Sequence, residues 1–244
     1  MKSFLLCLSF CWGFTATSLA QNYEIEYNHT VTFKLNTLES VYKLAHSPRS
    51  SIYYQVEYEF FNGDGNESLP MDDQSTPFVK KEYHSKRVIH TETVMNEKVF
   101  VEDELPLQTW ELKAETKKIK SFNCKKAVTT FRGRNYTAWY TEDLSIIGGP
   151  WKFDGLPGLI LEVASDDGVL IIEATQIEQK EEVIFPDFAY KEKDLITWEE
   201  FCKRYQKAIK RIWRNMMADT DTDVEYGLEV NSIEDLGLEQ TKWK

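Results

Sequence analysis

The sequence predicts a mainly β protein of the α+β class: an antiparallel sheet with one long C-terminal amphipathic helix. Three observations predict it. Apolar and polar residues alternate over several runs, Gly, Asn and Asp clusters separate those runs at short intervals, and a single stretch near the C-terminus repeats its apolar residues at steps of three and four.

The elements follow in order. Residues Met1 to Ala20 carry one charge, Lys2, an apolar run from Phe4 to Phe14, and small residues at Ser18 and Ala20, the pattern of a secretory signal peptide. Its apolar run is shorter than the roughly 20 residues a membrane span takes. From Tyr23, the residues Tyr23, Ile25, Tyr27, His29, Val31 and Phe33 share one face and Glu24, Glu26, Asn28, Thr30 and Thr32 the other, so a half-buried strand is expected. A second strand is expected to bury Tyr54, Val56, Tyr58 and Phe60 and to expose Gln55, Glu57 and Glu59. Shorter runs at 78–83, 87–94, 98–102, 108–112 and 118–122 extend a meander, and hairpins are expected at 127–140 and 159–177. The helix is expected over 197–217, where Thr197 and Glu200 write a capping box and Ile196 can staple onto Phe201. Its other face carries Lys203, Arg204, Lys207, Lys210, Arg211 and Arg214. Residues 218–244 hold eight acids against two lysines and are read as an acidic tail, loosely docked or disordered over about half its length. The organisation expected is therefore a signal segment at 1–20, one β-rich domain over 21–217, and a tail over 218–244.

Charge and cysteine content exclude some functions. The formal charge is −11, or −12 without Lys2, a field that repels nucleic-acid phosphates. Without the signal segment only Cys124 and Cys202 remain, and a disulfide between them or two free thiols are equal alternatives. Neither Gly-x-Ser-x-Gly nor His-Glu-x-x-His occurs. His29 reads as a hydrogen-bonded core histidine. His90 and Glu92 share a strand face, with His84 on a neighbour. Cross-strand pairing outweighs a metal site there, because nothing supplies a third and fourth ligand, and neither a metal nor a cofactor is expected. Asp219, Asp221 and Asp223 imitate a calcium loop, but Val224 and Val230 stand where it needs glycine and glutamate.

The most constrained stretch is 148–163, where Gly149, Pro150, Gly155, Pro157 and Gly158 punctuate an aromatic and aliphatic run. These residues are expected to form an architectural corner that sets how Trp151, Phe153, Leu156 and Leu159 enter a core or a groove. No helix signal follows to make an anion site.

Cys124-Lys125-Lys126-Ala127, Phe131-Arg132-Gly133-Arg134, Ala138-Trp139-Tyr140-Thr141, Gly149-Pro150-Trp151-Lys152-Phe153 and Gly155-Leu156-Pro157-Gly158-Leu159-Ile160 occur in that order. Together they resemble the GLPGLI family of exported bacterial proteins. The resemblance implies a curved sheet similar to the half-barrels of lipoprotein carriers, an exported location in the periplasm or at the periphery of the outer membrane of a Gram-negative cell, and no established activity. From the alternating apolar strands, the aromatic helix face and the missing catalytic motifs, the chain is expected to be a non-enzymatic binder of a hydrophobic ligand such as a lipid, acyl chain or apolar peptide, lined by Trp139, Tyr140, Trp151, Phe153, Leu156, Leu159 and Trp213. The alternatives are an interaction module of an outer-membrane complex with an outer-membrane or periplasmic protein partner and, last, a hydrolase.

Overall fold

The computed structural model of the protein describes residues 21–33, 36–62, 65–70, 76–218 and 232–238. The signal segment at 1–20 and the acidic run Asp219 to Asp223 lie outside the described residues. The first half of the sheet comprises β1 (Asn22–Phe33), β2 (Asn36–His46), β3 (Ser50–Asn62), β4 (Gly65–Pro70), β5 (Phe78–Glu82), β6 (Arg87–Val94) and β7 (Glu97–Glu104). The second half comprises β8 (Glu111–Ile119), β9 (Phe122–Phe131), β10 (Arg134–Thr141), β11 (Leu159–Ser165), β12 (Leu170–Lys180) and β13 (Leu195–Thr197), followed by helix α1 (Trp198–Ala218).

All thirteen strands belong to one open sheet in the order β13-β7-β6-β5-β3-β2-β1-β12-β11-β10-β9-β8, with β4 paired to β3. Every pairing along it is antiparallel except β13 with β7. The fold class is thus the one the alternation predicts, a curved β sheet with a single C-terminal helix. Register shifts between Glu26 and Tyr27, between Val41 and Tyr42 and between Trp139 and Tyr140 add local bend and twist.

The alternation in β1 is realised. Tyr23, Ile25, Tyr27 and His29 are buried, while Glu24, Glu26 and Asn28 reach the surface. His29 Nδ1 lies 3.1 Å from the Tyr53 hydroxyl, and burial pushes its imidazole down to about 3, so it is neutral at pH 7. Two other expectations are corrected. In β3 the buried polar-side face holds Tyr53 and Gln55, while Tyr54 packs on the opposite face with Phe78, Ile89 and Phe188. Both faces of this sheet region are covered, because Phe185, Phe188, Tyr190 and Leu195 cross the outer one, so alternation no longer separates inside from outside. Residues 108–112 and 118–122 are not separate strands; Glu111–Ile119 is one exposed edge strand, turning at Lys120 (φ 52) into β9. The strand Asn36–His46 had no clear signal.

The main core lies on the inner face and includes Ile25, Tyr27, Leu44, Val79, Ala138 and Val163. Segment 142–158 folds back into that face and supplies Ile146, Phe153 and Leu156. Helix α1 packs beside β6 and β7 through Phe201, against Val99, Val101 and Leu236. The tail region is also part of this packing, since Glu234 and Leu236 are buried at 6 % and 7 % exposure. Cys124 and Cys202 are free thiols, both pushed up by burial.

Candidate functional site

Two buried lysines organise the inner face. Lys81, on β5, has no exposed surface, and its ammonium donates to the carbonyls of Gly149 (2.9 Å) and Phe153 (2.6 Å) and to Asp154 Oδ2 (3.0 Å). Three donors meet three acceptors. Burial pushes this lysine down from its ordinary value, and Asp154 opposes that shift. Gln108 Nε2 donates to the Lys152 carbonyl (2.9 Å) and Trp110 Nε1 to the Asp154 carbonyl (2.7 Å), so the 149–155 segment is pinned from both sides. Gly158 closes it: a Cβ there would stand 2.1 Å from the Thr141 carbonyl oxygen, which no side chain can do.

Lys152, 1 % exposed, points the other way into a closed ring of charges. Its ammonium donates to Glu92 Oε1 (2.7 Å) and to Glu234 Oε2. Glu234 Oε1 accepts from Arg132 (2.6 Å), and Arg132 also donates to Asp103 Oδ2 (2.6 Å). Asp103 and Glu92 then flank His90, whose Nε2 and Nδ1 lie 2.9 Å from Asp103 Oδ2 and Glu92 Oε1. Basic side chains and carboxylates alternate along it, His90 being hydrogen-bonded to Asp103 through Nε2 while its Nδ1 lies close to Glu92 without hydrogen-bond geometry, and each ion-paired neighbour offsets part of the desolvation cost of the next. The Trp198 indole covers it, with the Arg132 guanidinium carbon 3.4 Å and the Lys152 ammonium 5.0 Å from its centroid.

Burial would raise the Glu92 carboxyl, but Lys152 and His90 outweigh it and hold the group down at about 2. Asp103 behaves alike: burial raises it, and His90 and Arg132 bring it to about 2. Neither is a proton donor at neutral pH. Among the described residues, no group of His, Cys, Asp and Glu is arranged to hold a metal ion, and no helix is long and apolar enough to cross a membrane.

A cavity of about 770 Å³ opens beside the ring. Thr91, Glu92, Thr93 and Asn96 of the β6–β7 hairpin form one wall, Phe201 and Tyr205 of α1 another, and Ser232, Ile233, Glu234 and Leu236 border it with Trp151. Arg132 (φ 43) and Trp151 (φ 48) both sit in the left-handed region, which costs a non-glycine residue about 1–3 kcal/mol and concentrates at working sites.

Of the residues read from sequence as ligand-lining, only Trp151 borders this cavity. Phe153, Leu156, Leu159 and Tyr140 belong to the main core, where Phe153 packs edge-on against Tyr136. Trp139 is half-buried under Lys117, 4.5 Å from its ring. Trp213 is buried roughly 22 Å along α1 from Trp198. His90 and Glu92 do share a face and pair, and His84 is exposed in a turn. Sequence reasoning missed Lys81, Lys152, Arg132, Asp103 and Glu234. The one available signal was position: Lys81 lies two residues from Val79 on the inward face of a strand, and Lys152 between two aromatics.

The model of the family described as N-glycanase peptide, N-terminal domain, matches residues 66–199. The chain belongs to this family. The match runs from β4 to the start of α1 and takes in the pinned segment, His90, Glu92, Asp103, Arg132, Lys152 and Trp198. It corrects the family read from the Gly155 to Ile160 signature, and with it the expectation of a hydrophobic-ligand carrier. Of the seven residues read as ligand-lining, Tyr140, Phe153, Leu156 and Leu159 are buried in the main core and Trp151 borders the cavity. Two solved structures of PNGF-II, in space groups C2 and P21, are similar at 22% identity and a TM-score of 0.48 each, covering 78% of this chain. The chain spans about a third of their length, 33% and 34%. No curated protein matches.

Proposed function

We propose that the chain is a carbohydrate-recognition domain of the N-glycanase type, holding a glycan or glycopeptide in the cavity beside the charge ring without cleaving it. The observation that carries the reading is the cavity itself, whose lining combines a strained, half-buried Trp151 with the polar Thr91, Glu92, Thr93 and Asn96. Sugars are bound by such pairings of a flat apolar ring with fixed hydrogen-bonding groups. These polar residues, and Trp151 with them, all fall within the family match, and the family's description concerns N-glycanases. Glu92 and Asp103 are held ionised by fixed basic partners, so neither serves as a general acid at neutral pH, and the reading is one of binding. The chain as a whole is read as one domain, exported by its Met1 to Ala20 segment.

Calorimetry with an N-glycan and its glycopeptide tests this. Saturable binding is expected, weakened about tenfold, or ~1.4 kcal/mol, by Trp151→Ala. Absence of binding at millimolar ligand overturns the reading, and release of glycan by the purified chain overturns its non-catalytic part. Export predicts a mature N-terminus at Gln21, checked by intact-mass measurement of the secreted protein.

A further inference from the structure

Residues Ser232 to Leu238 are held in the manner of a bound peptide. One set of contacts reads only main chain: Arg134 Nε and Nη2 donate to the carbonyls of Ile233 and Ser232 (both 3.0 Å), Gln206 Nε2 donates to that of Leu236 (2.7 Å), and the Asp235 N–H donates to the Arg132 carbonyl (2.8 Å). Any segment that followed the same bent path, with bends at Ile233, Glu234 and Gly237, could make these bonds. The other set consists of two anchors. Glu234 bridges Arg132 and Lys152, and Leu236 enters the apolar pocket of Val99, Val101 and Phe201. Asp235, between them, is exposed.

The seat is shaped for a close-lying backbone. A Cβ at Gly133 (φ +80) would stand 2.5 Å from Asp235 Cβ, so glycine is what lets the segment lie down. The seat also stands without its occupant, because Lys152 keeps Glu92 and Arg132 keeps Asp103 if Glu234 leaves. Main-chain bonds for affinity with pockets for alternate side chains are a recurring mode of peptide recognition.

We infer that Arg132, Lys152 and Trp198, with the adjoining apolar pocket, form an acceptor site for a peptide segment of another protein that follows the same bent path and bears an acidic residue and, two positions later, an aliphatic one. The chain's own Glu234 and Leu236 occupy that site as an internal ligand. The inference does not rest on the carbohydrate reading, although Phe201, Glu234 and Leu236 also border that cavity. A tethered occupant competes at high effective concentration, so a free peptide gains access only when the internal anchors are weakened.

The test uses the full chain and a fluorescein-labelled peptide of residues 231–240, followed by anisotropy. The chain carrying Glu234→Gln with Leu236→Ala should bind the peptide at least tenfold more tightly than the unsubstituted chain. The same peptide carrying Glu234→Gln should lose that binding. Equal affinity of the two chains, or of the two peptides, overturns the proposal. Circular dichroism checks that the substituted chain is folded; should the double variant not fold, the isosteric Glu234→Gln chain gives the same comparison with a smaller expected gain of about threefold.

Discussion

A lysine whose ammonium is buried must find its acceptors inside the protein, and Lys81 and Lys152 find theirs in different ways. Lys81 uses two carbonyls and Asp154, so it acts as a pin on the 149–155 segment; Lys152 uses two carboxylates, so it acts as the hub of a charge ring. Removing one partner from a buried pair leaves the other charge uncompensated, typically at a cost of about 3–5 kcal/mol. Lys81→Met is therefore expected to lower stability by ~3–5 kcal/mol in urea unfolding, since Asp154 would stay buried without its cation. Gly158→Val is expected to prevent folding or to cost more than ~4 kcal/mol, because its first side-chain atom would stand 2.1 Å from the Thr141 oxygen. A Gly158→Val protein of ordinary stability would show that the segment can shift away from β10. That this glycine is required was legible in sequence from the density of Gly and Pro around it. That Lys81 and Lys152 matter was not, because a lysine in a strand or between aromatics is written the same way whether it snorkels to water or ends in a buried ring.

At the scale of elements, period and capping carry the information. The start of α1 keeps half of its expected capping box: the Glu200 N–H donates to Thr197 Oγ1 (3.2 Å), while the Glu200 carboxylate accepts from Arg204, and Ile196 lies in one cluster with Phe201. Thr197→Ala is expected to cost about 1 kcal/mol, read as a lower thermal midpoint with unchanged far-ultraviolet circular dichroism at low temperature. β1 was legible because one face of it meets the core and the other meets water. β3 was not, because the 185–195 segment covers its outer face and makes Tyr54 an inside residue on the wrong side. β8 failed for the opposite reason. As an edge strand with mostly exposed residues it has no buried face to write a pattern, and its pairing with β9 is what defines it.

At the scale of the molecule, acid should unfold the protein over a wide range, and two sets of groups act in the same direction. Burial holds His29 at about 3 and His46 at about 4, below the unfolded value of roughly 6.5, so the unfolded chain takes up protons first and stability falls as pH drops below ~6.5. Glu92 and Asp103, held at about 2, contribute stability that is present above their unfolded values of roughly 4 and is lost as pH falls toward 2. The urea midpoint should therefore decline steadily from pH 7 to pH 3. A flat profile over that range would mean that these groups are solvated in the folded protein.

By itself the sequence determined the local periods: a β-rich body, one amphipathic helix with its cap, and a glycine–proline corner in the middle of the chain. Each of those rests on neighbours in sequence, through side-chain alternation, helical repeat and backbone freedom. Only the tertiary structure decided what the corner holds. His90 and Glu92 from β6, Asp103 from β7, Arg132 from the β9–β10 turn, Lys152 from the corner and Glu234 from the tail are scattered over more than half the chain, and they meet because the sheet curves and the tail lies back across it. A charge ring of this kind is selected by burial. Each member is acceptable only where the others exclude water and supply the opposite charge, and that is a property of the fold with no counterpart in any local stretch of sequence.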